Sequence, residues 1–303
     1  TSFGAAQNTG AISLSNDYKV SNISYDANGN IQTLNRTKNT ENSSNAMDAF
    51  TYHYKTTKPN QLDRVADAVT SHTGADDLKT QATNNYIYNG IGQLVANTQD
   101  QIAYTYNASG LVTTISEMVG PRLTKPAVQF TYNDKGFRVK KESFLGAYTQ
   151  TTYYVRDAAG SPMAIVNMPV GRTPNPPRIE NPIYGASRLG IYKKNANTNV
   201  YQFTDHLGNI RAVASKNQNG IVSLSGATDY YPGGMVMPNR QIVNGEPYRY
   251  GYQGEFAETD PETGKPAFQL RIYDPRINRW LSPDPYGQHA SPYMSMGNNW
   301  MNK

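Results

Sequence analysis

Ala103-Tyr104-Thr105-Tyr106-Asn107-Ala108-Ser109-Gly110-Leu111-Val112-Thr113-Thr114-Ile115 holds the reading of the whole chain. Residues alternate with period two up to Tyr106, and the alternation resumes after Gly110, with an Asn and a Gly between. Such alternation marks a strand with one buried face, and an Asx and a Gly between two such runs mark a hairpin. The Asn side chain can hydrogen-bond its own backbone two residues on, and Gly supplies the positive φ that lets the chain return. The same Tyr-Asx-x-x-Gly spacing recurs at Tyr25-Asp26 to Gly29, Tyr88-Asn89 to Gly92 and Tyr132-Asn133 to Gly136, alongside Tyr106-Asn107 to Gly110. Looser relatives stand at 154–160 (YVRDAAG) and 203–208 (FTDHLG). Irregular distances between copies predict hairpins of variable length in a spiralling antiparallel sheet, not a strict solenoid. The expected fold class is therefore all-β. An ordinary β-sandwich, or a tyrosine face that binds sugar or peptide, would show the same spacing.

Other stretches are less regular. Gln61–Val69 (QLDRVADAV) fits one or two helical turns or a strand. The prolines at 169, 174, 176, 177 and 182 make 167–183 read as an extended connection, since proline removes donors that a central strand needs. Residues 39–48 and 71–81 read as polar loops between hairpins.

Composition removes several function classes. Hydrophobic residues make up 37% of the 303 residues, and 23 Tyr with 25 Gly supply enough buriable surface to argue against disorder. Zero cysteines exclude disulfides, a thiolate nucleophile and a Cys-ligated zinc. The formal charge of +5 is mild, and basic residues stand in pairs (Lys140-Lys141, Lys193-Lys194), so no nucleic-acid partner is expected. No apolar run reaches the ~18 residues of a membrane span. Residues 1–9 lack the regions of a signal peptide, and a chain starting without Met reads as an internal piece of a longer protein. His53, His72, His206 and His289 are far apart with no paired spacing, so neither metal nor cofactor is expected. Asp205-His206 lacks an accompanying G-x-S-x-G, and His206 reads as a turn residue. Gly90-Ile91-Gly92 lacks the Lys-Ser or Lys-Thr of a phosphate loop.

The last hundred residues carry four blocks in order: Tyr201 onward (YQFTDHLGNIRAVAS), Asp229–Met235 (DYYPGGM), Tyr248–Glu255 (YRYGYQGE) and Arg271–Pro285 (RIYDPRINRWLSPDP). In these residues the chain resembles the Rhs or YD-repeat family, specifically its Rhs-associated core region, and the upstream Tyr-Asx-x-x-Gly units resemble YD repeats. The residues that carry the core resemblance are Asp205, His206, Gly208, Asn209, Tyr273, Asp274, Pro275, Arg279, Trp280 and Pro285. Three positions depart from the pattern: Asn278 stands where Gly is common, Gly233 where Phe is usual, and Lys265-Pro266 where apolar or aromatic residues are frequent. Asn tolerates the left-handed backbone, so the turn at 278 is expected to survive. The stretch Met235–Arg240 (MVMPNR) is similar to versions in bacteria that use type IX secretion.

The resemblance implies a partial Rhs-type shell of YD hairpins over 1–166, the Pro-rich connection over 167–183, and a capping core region over 184–303. It implies a C-terminal effector or cargo polypeptide as partner, export to the cell surface or medium, and contact with secretion machinery or other envelope proteins. Winding hairpins into a closed sheet hides the edges that would otherwise aggregate. In the family a pair of aspartates cuts the chain, and Asp284 matches the first. The second would lie beyond Lys303, so catalysis is expected only if a downstream Asp is supplied; alone, Asp284-Pro285 initiates a turn. A different reading, a surface adhesin or partner-binding module with glycan as a candidate ligand, follows from the excess of Tyr and Asn.

Overall fold

The computed structural model describes residues 16–41, 44–71, 78–120, 122–145, 147–168, 170 and 176–301. The stretch 1–9, most of the Pro-rich 169–175 and residues 72–77 of the third loop lie outside the described residues. Antiparallel strands carry the fold, with two short 3-10 turns and no α-helix among the described residues. Four strands form a first sheet in sequence order: β1 (Val20–Tyr25), β2 (Ile31–Glu41), β3 (Ser44–Lys55) and β4 (Lys58–Asp67). A second sheet has 14 strands, again in sequence order. It begins with β5 (Tyr86–Tyr88), β6 (Leu94–Asn97), β7 (Ile102–Tyr106), β8 (Val112–Val119), β9 (Arg122–Tyr132), β10 (Arg138–Leu145) and β11 (Tyr148–Arg156). It continues with β12 (Pro162–Asn167), β13 (Arg178–Tyr184), β14 (Arg188–Lys193), β15 (Thr198–Thr204), β16 (Ile210–Lys216), β17 (Val222–Tyr230) and β18 (Val236–Val243). Two small hairpins follow, β19 (Ala257–Asp260) with β20 (Lys265–Phe268), and β21 (Tyr273–Asp274) with β22 (Arg279–Trp280).

One turn geometry builds this wall. In each unit the residue before the Asx pairs with the residue six further on: Tyr25↔Ile31, Tyr88↔Leu94, Tyr106↔Val112, Tyr132↔Arg138, Arg156↔Pro162 and Thr204↔Ile210. The Asx oxygen accepts backbone N–H groups two or four residues on, as Asp26 does from Asn28 and Asn30, and Asn133 from Lys135 and Phe137. The Gly N–H closes the turn on the Asx carbonyl, and Gly29, Gly92, Gly110 and Gly136 all have φ between 78° and 90°. The looser copies at Asp157 and Asp205 behave alike. A further copy, Asn217 to Gly220, has the same contacts, with Lys216↔Val222 as its pair. It escapes the Tyr-based pattern because Lys216 precedes it. A register shift at most of these turns bends and twists the strands, which curls the sheet.

The tyrosine of the repeat is a tie between hairpins. Tyr106 donates its hydroxyl to the Leu94 carbonyl and Tyr132 to that of Val112, each at 2.7 Å. Tyr54 reaches Ile31 at 2.7 Å and Tyr184 reaches Pro162 at 2.9 Å. In all four the acceptor lies five residues after the Asx of the preceding unit. Burial pushes the Tyr54 phenol up to about 12, against the pull of Arg279, so it stays a donor at any physiological pH.

Several irregular stretches are strand in the structure. Residues 39–48 are mostly strand: β2 and β3 run on because the inward Arg36 and Asp48, both about 1% exposed, pair at 2.6 Å and fix their register. Residues 61–67 are strand, where Leu62 and Val65 face the core and Tyr52↔Val65 pairs across to β3. The Pro-rich 167–183 joins the sheet at both ends: β13, with Pro182 in it, pairs with β12 and β14, and only its middle lies outside the described residues. Lys265-Pro266 also sits in a strand, paired with Thr259 and Asp260.

The wall's ends meet. Tyr18 donates to the Pro238 carbonyl at 3.0 Å and Tyr231 to that of Thr37 at 2.6 Å, over a small core of Met47, Tyr231 and Met235. On the concave side the main core joins Leu34, Phe50 and Val65 of the first sheet to Tyr104, Ile115 and Val128 of the second. Ile272, Ile277, Leu281 and Trp300 of the C-terminal segment fill it from within.

Tyr106→Phe and Tyr132→Phe are each expected to lower the free energy of unfolding by about 1 kcal/mol, the net value of one hydrogen bond. Urea titration measures this; midpoints equal to that of the parent chain would show that the phenols are only packing groups.

Candidate functional site

Residues 244–301 lie against the concave face of the wall, and the four blocks singled out in the sequence meet there. The Asp205–Asn209 turn is docked by the Tyr248–Glu255 loop: the Gln253 N–H donates to Asn209 Oδ1 at 3.0 Å and its side-chain amide to the Leu207 carbonyl at 2.9 Å. Gly208 has φ +83° and closes the turn, while the His206 ring nitrogen stands 3.0 Å from the Met301 carbonyl. The second block packs on the third and fourth: the Tyr252 and Tyr273 rings stack at 5.9 Å, and Tyr273 donates to the Gly233 carbonyl at 2.8 Å.

Two departures from the family pattern touch each other. Gly233, at φ +90°, lies so close to Asn278 that a Cβ there would come within 2.2 Å of Asn278 Oδ1. Asn278 adopts φ +54° and is buried. The space beside Gly233 is thus filled by the Asn278 side chain.

Charged residues hold the fourth block to the wall. Arg279 donates to Asn30 Oδ1 at 3.2 Å, to the Tyr54 hydroxyl at 3.1 Å and to the Asn60 carbonyl at 2.7 Å, between the rings of Tyr54 and Tyr293. Asn30 closes the first repeat turn, and Ser291 also donates to it, at 2.6 Å. Trp280 packs between Phe268 and Tyr273 with the Arg271 guanidinium over it. Asp274, buried in front of Pro275, accepts from the Arg276 backbone and side chain at 3.0 and 3.1 Å, and Lys265 stands 3.4 Å away. Arg276 reaches on to Asp100 of the wall. Burial raises the Asp274 pKa, but Arg276 and Lys265 outweigh it and hold the carboxyl well below its ordinary value.

Among the described residues, no contact joins Asp284 to a second carboxylate. Its oxygens take the Tyr286 and Gln288 N–H groups at 3.2 Å each and face Arg271 at 3.6 Å, the arrangement of a turn-capping Asp before Pro285. A second charged network went unread in the sequence because its members are distant: Arg249 bridges Glu180 and Glu258, and Tyr154 donates to Glu258 at 2.8 Å. It lines a cavity of about 980 Å³ between β10–β18 and the 244–276 segment, with Lys193, Arg249, Glu246 and Glu258 among its walls. No group of three or more metal-ligating side chains occurs among the described residues.

No family model matches the sequence. The chain is 31% identical to "Salivary gland surface protein 1" of Aedes aegypti over 183 residues, 57% of this chain and 5% of that protein. Among solved structures it resembles the Photorhabdus luminescens Tc holotoxin pore (TM-score 0.68, 15% identity, covering 93% of this chain and 13% of that one). It also resembles the TcdB2-TccC3-Cdc42 crystal structure (TM-score 0.61, 15% identity, 93% and 15% covered) and TcdB2-TccC3 without its hypervariable C-terminal region (TM-score 0.57, 16% identity, 93% and 16% covered). The fold is therefore Rhs-like, an antiparallel β-shell of the kind found in Tc toxins, and this chain spans a small fraction of each protein it matches. No helix among the described residues is long and apolar enough to cross a membrane.

Asp274→Asn leaves Arg276 and Lys265 to share Asp100 as their carboxylate partner and is expected to destabilise the chain by about 1–3 kcal/mol. Because folding lowers the Asp274 and Glu258 pKa values, their stabilisation is complete above the unfolded values and is lost as pH falls below about 4. Unfolding midpoints between pH 2 and 7 should therefore fall on the acid side in the parent chain and less steeply in the variant; parallel curves would remove Asp274 from this role. Gly233→Ala is expected to destabilise through both clash and positive φ, and Asn278→Gly in the same chain to relieve the clash alone, giving a coupling of about 1 kcal/mol in a double-mutant cycle. Strict additivity would separate the two sites.

Proposed function

We propose that this chain is a structural and delivery module: a segment of β-shell wall with its core segment folded inward, which encloses or presents a C-terminal effector polypeptide. The observation that carries the reading is the inward core segment. Residues 244–301 are fastened from inside by buried pairs to Asn30, Asp100 and Glu180, and they leave a cavity lined by both signs of charge. A surface meant to hold an unfolded passenger must not offer one large apolar face, since such a face would bind it irreversibly or aggregate. The TccC3-containing structures it resembles support the same reading. On it, Asp284 belongs to a turn of the core segment that becomes half of a cutting pair only with a second carboxylate from beyond Lys303. Export, with type IX secretion as the route that Met235–Arg240 suggests, and contact with envelope proteins form part of the proposal.

The adhesin reading rests on a different observation. Tyr153, Val155 and Phe203 are each 44–57% exposed on the convex face, and the matched insect protein is named for a surface. Glycan or an envelope protein would be its ligand.

The deciding experiment uses the full-length protein that carries this chain. Added protease is expected to cut the polypeptide that follows the core at least about tenfold more slowly than the same polypeptide free, because cleavage tracks the open population. Equal rates would end the enclosure proposal, and binding of the intact chain to a glycan panel would then favour the adhesin.

A further inference from the structure

Lys141 lies on β10 with its side chain on the concave face, and Asp260 ends β19 opposite it. The Lys141 ammonium contacts the Asp260 carboxyl directly and stands 2.7 Å from Glu262 Oε2. The Lys141 and Asp260 side chains are 7% and 2% exposed, and that of Glu262 is 15% exposed. Both carboxyls face the one Lys141 ammonium. Burial raises the Asp260 pKa, and Glu262 adds to the rise against the pull of Lys141. Burial also pushes Glu262 up, but the bonds from Asp260, Lys141 and Ser143 leave it lowered. Of the two carboxyls, Asp260 is the one pushed toward its neutral form and Glu262 the one held toward its ionised form. Thr263 donates its hydroxyl to Asp260 Oδ2 at 3.1 Å, where charge would develop if the carbonyl were attacked.

We propose that Lys141 and Asp260 join in an intramolecular isopeptide bond, with Glu262 as the proton-transfer group. Glu262 takes a proton from the Lys141 ammonium, and the freed amine attacks Asp260 Cγ, forming the N–C bond. The C–OH bond then breaks, and the hydroxyl leaves as water with a second proton from the amine nitrogen. The products are a neutral amide, one water and a protonated Glu262, so atoms and charge balance with no oxidant or co-reactant. Holding nucleophile, acid and base in contact in a buried site supplies the effective concentration the step needs. Lys265 lacks this chemistry: it stands 3.4 Å from Asp274 and 3.6 Å from Asp100, and Arg276 contacts both carboxyls and holds Asp274 ionised and so a poor electrophile. Lys55 and Asp63, with side chains 24% and 18% exposed, are open to water.

The bond would tie residues 119 apart in sequence and fasten the core hairpin to the wall, in a chain with no cysteine for a disulfide. Like a disulfide, it would act by constraining the unfolded chain.

The test is the intact mass of the folded, full 303-residue chain under denaturing conditions, with peptide mapping. The expected mass is that of the sequence less one water, with a branched peptide joining the Lys141 and Asp260 segments. Lys141→Arg and Glu262→Gln should each restore the full mass, and circular dichroism shows whether each variant folds. A parent chain that folds and keeps its full mass after long incubation between pH 5 and 8 overturns the proposal, whatever the variants do. A water loss mapped elsewhere in the chain overturns it as well.

Discussion

Everything in this wall depends on a five-residue turn in which an Asx oxygen gathers the N–H groups ahead of it and a glycine with positive φ sends the chain back. The turn fixes the pairing six residues apart and leaves no freedom for the register to slip. A one-residue slip would move Leu34, Tyr104 and Val128 from the core to solvent, so register and burial reinforce each other. Tyr54, Tyr106, Tyr132 and Tyr184 then tie their strands to a preceding hairpin through a backbone carbonyl, a bond indifferent to how long the intervening strands are. Tyr54 reaches a residue 23 positions back and Tyr106 one only 12 back, which is why the repeat has constant chemistry and an irregular period.

That local chemistry is why the class of fold was legible. Tyrosine, Asx and glycine act within a few residues of one another, and such signals survive in a single sequence. The turn at Asn217 was missed because the tie, not the turn, carries the tyrosine: the turn needs only its Asx and glycine. Residues 39–48 read as loop because Asn, Asp and Glu have weak strand preference, and their strand form comes from Arg36 and Asp48 pairing under Tyr231. Pro182 sits in a strand between two others, where composition argues against it; Ile165↔Glu180 on one neighbour and Ile183↔Gly190 on the other hold the ladder around it.

The inner site was legible only as four blocks in order. Their contacts join residues from 40 positions apart, as Gly233 with Tyr273, to 176, as Asp100 with Arg276, and no spacing rule connects positions so distant. Gly233 and Asn278 illustrate the limit: 45 positions apart, each reads in isolation, and only the fold shows that they touch.

The polarity of that inner seam has a physical reason. Replacing a buried ion pair with apolar groups is often neutral or stabilising, so charges between wall and core segment add little to the depth of the energy minimum. They act instead on its uniqueness. An apolar plug against a curled sheet can shift by a residue and lose little area, whereas shifting Arg279 away from Asn30, Tyr54 and Asn60 leaves a buried guanidinium unpaired. The same holds for Arg249 between Glu180 and Glu258, on the far side of the cavity. With charged anchors at both places, the core segment has one seating against the wall, and Arg249 and Glu258 hold their positions in the cavity lining by the same pairing.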